Sequence, residues 1–246
     1  MRTILCAEEQ VFSGPLVVVN RGSPLRRDGG VQLLPVDADR GVWMERRAAL
    51  LLQDCIRSVG GEHEIVPVSG WRSGAEQQAI WEQSMEAHGE AFTRSYVALP
   101  GCSEHQTGLA VDLGKAAPEI DWIRPAFPEE GICGAFRHAA ARYGFIERYS
   151  EEKQGLTGIA WEPWHFRYVG VPHAQLMREH GLCLEEYAGF LQHGPRHCRL
   201  PGRRTVQVSY VRCAGRQTVI EAPEGCCQIS GDNQAGFFVT FWGNAG

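Results

Sequence analysis

The chain has 246 residues, 43% hydrophobic and 22% charged, a balance typical of a soluble globular protein of one to two domains. Lys and Arg number 24 against 29 Asp and Glu, so the net charge of −5 argues against non-specific nucleic-acid binding, which needs a basic surface. No apolar run approaches the ~18 residues of a membrane span.

The first residues, Met1 to Glu9, turn acidic too early for a secretory signal, so a cytoplasmic location is expected. Nine cysteines without a C-x-x-C pair fit a reducing compartment. Leu16-Val17-Val18-Val19-Asn20 is expected to be a strand that ends in a turn at Arg21-Gly22-Ser23-Pro24, ahead of a polar stretch through Gly29-Gly30. Met44, Ala48, Leu51, Cys55 and Val59 recur at helical spacing and predict a helix over about 41–59, closed by Gly60-Gly61. Ile65 to Gly70 reads as a short strand, and Ser73 and Glu76 as a capping box opening a helix over about 74–88. Residues 89–104 are expected to be irregular and Leu109–Leu113 a strand. Ala117 to Gly131, rich in proline and acid, reads as a long loop with one short helical turn at most. A helix over about 134–143, an extended aromatic segment from Ile159 to Val169, and helices near 172–180 and 184–192 follow. Beyond His193 four strands are expected with no helix: Thr205–Val211, Gln217–Glu221, Cys226–Ser230 and Gly236–Trp242.

Two motifs carry chemistry. In Ser103-Glu104-His105-Gln106-Thr107-Gly108-Leu109-Ala110-Val111-Asp112, strand alternation separates Asp112 from its apolar neighbours. An unpaired carboxylate there is costly, and a metal or cationic partner relieves that cost. Gly108 allows the backbone to bend so that His105 returns toward the strand end. In Trp161-Glu162-Pro163-Trp164-His165, the proline excludes a helix interior. Glu162 and His165, three apart, then need a local bend to serve one site. Two imidazoles and a carboxylate, His105, Asp112 and His165, complete the protein ligands of one catalytic Zn²⁺ per chain. Glu162 is the spare carboxylate that can take a proton from water and return it to a leaving amine. Arg72, at the end of Ser69-Gly70-Trp71-Arg72, either stabilises an oxyanion or grips a substrate carboxylate.

Taken together, Ser-x-His-x-x-Gly-x-Ala-x-Asp, Glu-x-Trp-His and Ser-Gly-Trp-Arg resemble the zinc D,D-peptidases of the VanY and VanX type. The opening Leu16 to Leu25 fits that type as well, and the tail Gln228-Ile229-Ser230-Gly231-Asp232-Asn233 resembles the narrower VanXY group of VanG-type glycopeptide resistance, bifunctional D,D-dipeptidases and D,D-carboxypeptidases. That resemblance implies zinc at His105, Asp112 and His165, Glu162 as catalytic base and Arg72 as transition-state stabiliser. It also implies Ser103 and Gln77 in the substrate pocket, to which Trp164 is added. The implied substrate is a small peptide ending in D-Ala-D-Ala; neither nucleic acid nor membrane is expected as a partner. Trp71 departs from the tyrosine more usual there, which removes a hydroxyl.

The expected fold is α+β: a small antiparallel sheet flanked by helices and carrying the zinc site, plus a C-terminal antiparallel β appendage. The boundary is placed between a catalytic domain, 1–193, and the appendage, 194–246. Competing readings are a cell-wall L,D- or D,D-carboxypeptidase or endopeptidase with the same zinc set, a non-catalytic peptide-binding module, and a separate metal site at His193, His197 and Cys198. The acidic loop from Ala117 is expected to rim the cleft and to sort dipeptides from longer precursors.

Overall fold

The computed structural model describes residues 1–26, 30–200 and 205–243, so the polar stretch around Gly29 lies partly outside the described residues. The first half of the chain runs β1 (Arg2–Ala7), β2 (Leu33–Asp37), β3 (Val42–Glu45), α1 (Arg46–Ser58), β4 (Ile65–Ser69), α2 (Gly74–Tyr96) and β5 (Ala110–Lys115). It continues with α3 (Gly131–Ala140), β6 (Phe145–Tyr149), α4 (Gln154–Thr157), β7 (Glu162–Tyr168), α5 (Val171–His180) and α6 (Leu184–Gln192). Five strands close the chain: β8 (Arg196–Arg199), β9 (Thr205–Arg212), β10 (Gln217–Ala222), β11 (Cys226–Gly231) and β12 (Gly236–Trp242). The architecture is α+β, and the chain divides into two compact units, one of Val19–Ala174 and one of Met1–Val18 with Gln175–Gly246.

In the Val19–Ala174 unit, β4, β5, β7 and β6 form an antiparallel sheet in that order, and β2 and β3 form a separate hairpin. On β5 the alternation works as expected. Val111 and Leu113 enter a core with Leu52 and Cys55 of α1 and Phe136 of α3, while Asp112 stays out of it. Phe127, Phe136 and Phe166 meet edge to face at 5.0–5.8 Å between centroids, the arrangement aromatic quadrupoles favour. The Glu45 side chain caps α1 by accepting from the Arg47 and Ala48 amides. Ser73 and Glu76 form the expected reciprocal box at the start of α2.

Several elements differ from expectation for identifiable reasons. The first turn of the predicted 41–59 helix is strand β3, whose pairing with β2 takes residues 42–45. Helix α2 does not stop near 88 but resumes after a kink at Gly89, where φ is 79°, and runs to Tyr96. Leu16–Val19 is buried yet joins no strand ladder; its backbone is satisfied instead by Ser230 Oγ, accepting from the Leu16 amide, and by the Asp232 carbonyl, accepting from Val18. The first true strand is β1, which pairs antiparallel with β10, Arg2 opposite Ala222.

That pairing explains why the second unit gathers the first 18 residues as well as the C-terminal strands, whereas the sequence boundary stood at 193/194. In this unit β11, β12, β9 and β8 form one antiparallel sheet, and Tyr187 of α6 stacks on Phe238 of β12 at 5.4 Å. The four predicted C-terminal strands are present, and β8 is an additional one.

Candidate active site

His105 lies on a short 3₁₀ helix, Glu104–Thr107, which Gly108 ends in the left-handed region at φ 71°. The turn brings the imidazole back over the sheet, where Nδ1 meets the Gly70 carbonyl at 2.7 Å and Nε2 meets Asp112 Oδ2 at 3.2 Å. Asp112 on β5 is the direct cross-strand partner of His165 on β7. His165 Nδ1 stands 3.0 Å from Asp112 Oδ1, and the two imidazole rings cross at 82° with centroids 5.0 Å apart. All three side chains are buried, and each offers one ligand atom within 4.8 Å of the others. A buried donor set of two imidazoles and one carboxylate suits a zinc ion that keeps a further position open. Among the described residues no other His, Cys, Asp and Glu group of this kind occurs, so the site considered at His193, His197 and Cys198 is not assembled.

The bend anticipated between Glu162 and His165 is a register shift. Glu147 pairs with Phe166 but Tyr149 pairs with Glu162, so β7 spends two residues more than β6 across the interval. Both side chains therefore reach one cleft, with Glu162 Oε2 3.8 Å from His165 Nδ1. Burial pushes the Glu162 carboxyl up to about 8, helped by neighbouring Asp112 and Glu104 and opposed by His165 and Arg72. A cation among the ligands would pull that value down. Burial alone would lower His165, but hydrogen bonds to Asp112 and Glu104 outweigh it and raise the imidazole to about 9. Asp112 moves below the carboxylate range because His105 and His165 overcome its burial.

Arg72 follows the bulged end of β4 and is held on three sides. Its Nε and Nη2 donate to Ser69 Oγ at 2.9 and 2.8 Å, Nη1 donates to Gln77 Oε1 at 3.2 Å, and Nη2 reaches Asp112 Oδ2 at 3.1 Å. The cleft has a volume of about 500 Å³ and its walls include Arg72, Ser103, Asp112, Glu162, Trp164 and His165. Of the expected substrate residues, Ser103 and Trp164 are on this wall. Gln77 is not: it is buried behind Arg72, its amide nitrogen donating to the Ala98 carbonyl, so the α2 register gives it a guanidinium to hold. Trp71, the departure from the usual tyrosine, is also off the wall. The loop from Ala117 does reach the cleft, but through apolar Trp122 and Ile123. Its acid Asp121 is spent on its own turn, accepting from the Ile123 and Arg124 amides.

Sequence reasoning passed over three residues here. Ser69 was inside the Ser-Gly-Trp-Arg element but without a role. Tyr149, whose ring packs on His165 at 4.8 Å, carried no signal at all. Glu104 lies within the Ser103–Asp112 motif, and nothing in its neighbours announces that Arg148 and Arg167 converge on it.

The profile of the VanY family, D-alanyl-D-alanine carboxypeptidases, matches residues 43–171. A bifunctional D-Ala-D-Ala dipeptidase and D-Ala-D-Ala carboxypeptidase of Enterococcus gallinarum, VanXYC, is 41% identical over 179 residues, covering 72% of this chain and 94% of the relative. The crystal structure of the vancomycin-resistance D,D-dipeptidase VanXYg in complex with a D-Ala-D-Ala phosphinate analogue superposes with a TM-score of 0.94 at 46% identity, covering 98% of this chain and 99% of that one. A vancomycin-resistance D,D-pentapeptidase VanY variant in complex with Zn(II) superposes with a TM-score of 0.61 at 32% identity, covering 70% of this chain and 98% of that one.

Proposed function

Because the chain belongs to the VanY family of D-alanyl-D-alanine carboxypeptidases, we propose that His105, Asp112 and His165 hold a zinc ion in a D,D-peptidase that cleaves peptides ending in D-Ala-D-Ala. The enzyme is a hydrolase of the D,D-dipeptidase and carboxypeptidase class that serves vancomycin resistance in its relatives. The observation that carries the site reading is the convergence of two imidazoles and a carboxylate within 4.8 Å, from three separate elements, on the floor of the cleft. Bound zinc supplies Lewis-acid polarisation of a carbonyl and acidifies water toward neutral pH.

The chain's own residues do the rest. Glu162 takes a proton from the attacking water and delivers it to the departing D-Ala amine. Its carboxylate stands beside the ligand set, Oε2 3.8 Å from His165 Nδ1, a position from which it can hold the proton between those two transfers. Arg72, fixed by Ser69 and Gln77, presents positive charge where negative charge develops on the scissile carbonyl oxygen. Ser103 and Trp164 line the space for the substrate, and apolar Trp122 and Ile123 of the loop lie at its edge, where they set how long a peptide enters. We place the enzyme in the cytoplasm, in keeping with nine cysteines that are all unpaired.

The test is release of D-Ala from D-Ala-D-Ala and from a UDP-linked pentapeptide, followed by chromatography with and without chelator. Chelation should abolish release, and zinc should restore it. Glu162→Gln should keep full zinc content and lose turnover by ~10²–10⁴-fold. Wild-type rates in the zinc-loaded variant would end the assignment of Glu162.

A further inference from the structure

Behind His165 lies a charge cluster that the reaction does not use directly. Glu104 is fully buried, and its Oε1 is met by Arg148 Nε and Arg167 Nη1, each at 2.8 Å, from two likewise buried arginines on β6 and β7. The other oxygen, Oε2, stands 3.4 Å from His165 Nε2. Arg148 also lies over the Tyr149 ring at 4.9 Å, and that ring packs against His165 at 4.8 Å.

Three buried charges are a poor way to stabilise a fold, since apolar residues of similar volume often do as well or better. Their effect on His165 is specific. The two guanidinium groups pair with Oε1 of the carboxylate, an acceptor-only group, and leave Oε2 facing His165. An acceptor at Nε2 holds the ring proton there and leaves Nδ1, on the Asp112 side, as the nitrogen that would ligate a metal. His105 obeys the same logic with a weaker partner. Its Nδ1 donates to the neutral Gly70 carbonyl, which frees Nε2.

We infer that Glu104, locked by Arg148 and Arg167, is a positioning residue that sets the tautomer and orientation of His165 and thereby the affinity of the metal centre. The inference rests on the metal reading above. A carboxylate hydrogen-bonded to a ligating imidazole raises its basicity, and loss of such a partner typically weakens metal binding 10–100-fold.

The experiment compares wild type with Glu104→Gln. Zinc affinity is read by competition with a chromophoric chelator, and site geometry by the visible spectrum of the Co²⁺-loaded protein. The expected result is a zinc dissociation constant ~10–100-fold higher and a shifted Co²⁺ band in a folded variant. A folded variant with zinc affinity within twofold of wild type and an unchanged Co²⁺ spectrum would make the cluster merely structural and overturn the inference. Should Glu104→Gln not fold, nitrogen-15 NMR of zinc-loaded wild type decides, with His165→Gln as the assignment control. A proton on His165 Nε2 supports the inference, whereas metal coordination through Nε2 overturns it. Wild type that binds neither zinc nor Co²⁺ would instead sink the metal reading itself.

Discussion

Ser69→Ala probes how Arg72 is aimed. The Ser69 hydroxyl oxygen accepts two guanidinium N–H groups, at 2.9 and 2.8 Å, while Gln77 and Asp112 hold Nη1 and Nη2. Hydrogen bonds to a charged group contribute ~1.5–3 kcal/mol each. Two of Arg72's four contacts disappear in the variant, but Gln77 and Asp112 still tether the group. The net loss of positioning is thus about that of one bond, ~1.5–3 kcal/mol, or ~10–100-fold in rate at 1.36 kcal/mol per decade. The assay is D-Ala release, reported as kcat and KM separately for Ser69→Ala, Arg72→Ala and the double variant, each with its zinc content. Arg72→Ala should lose ~10²–10³-fold in kcat, the usual cost of one oxyanion donor. Ser69→Ala should lower kcat by the smaller factor in the wild-type background and have no effect once Arg72 is gone. Were the guanidinium a clamp on the ground-state carboxylate, KM would rise with kcat unchanged. A Ser69→Ala enzyme within twofold of wild type, or one whose defect persists in the Arg72→Ala background, would refute the reasoning.

Two further outcomes test the scaffold. A Cβ on Gly70 would lie 2.2 Å from the Trp43 carbonyl oxygen, and the Gly70 carbonyl is the partner of His105 Nδ1. Gly70→Ala should therefore cost ~1–3 kcal/mol in denaturant unfolding and weaken zinc binding as well; unchanged stability would show that β3 and β4 do not approach so closely. His173 is buried, and burial pushes its imidazole down to about 3. The unfolded chain takes up that proton near pH 6.5, so this stability is complete above 6.5 and is lost as pH falls toward 3, by ~1.4 kcal/mol per pH unit. Between pH 7.5 and 5.5 the wild type should lose ~1.4 kcal/mol more than His173→Gln in urea unfolding; parallel curves would contradict a buried neutral imidazole.

The ligand candidates, the spare glutamate and the guanidinium were legible because each is coded locally. Strand alternation isolates Asp112, a glycine permits the left-handed turn after His105, and a proline bars Glu162 and His165 from a helix. Helix α2 announced its start through Ser73 and Glu76, since a capping box is a four-residue signal, but not its end. Gly89 reads as a stop, and only packing allows the helix to resume beyond it, with Ser84 and Thr93 hydrogen-bonded across the kink at 2.8 Å. What tertiary structure alone decided are matters of register and long-range pairing. The offset in β7 turns Glu162 and His165 into one cleft, β1 closes on a strand more than 200 residues away, and Gln77 faces Arg72 instead of open space. The two arginines on Glu104 belong to the same class. A buried carboxylate must find cations wherever the fold brings them, and strands β6 and β7 supply them from 44 and 63 positions along the chain, beyond the reach of any local pattern.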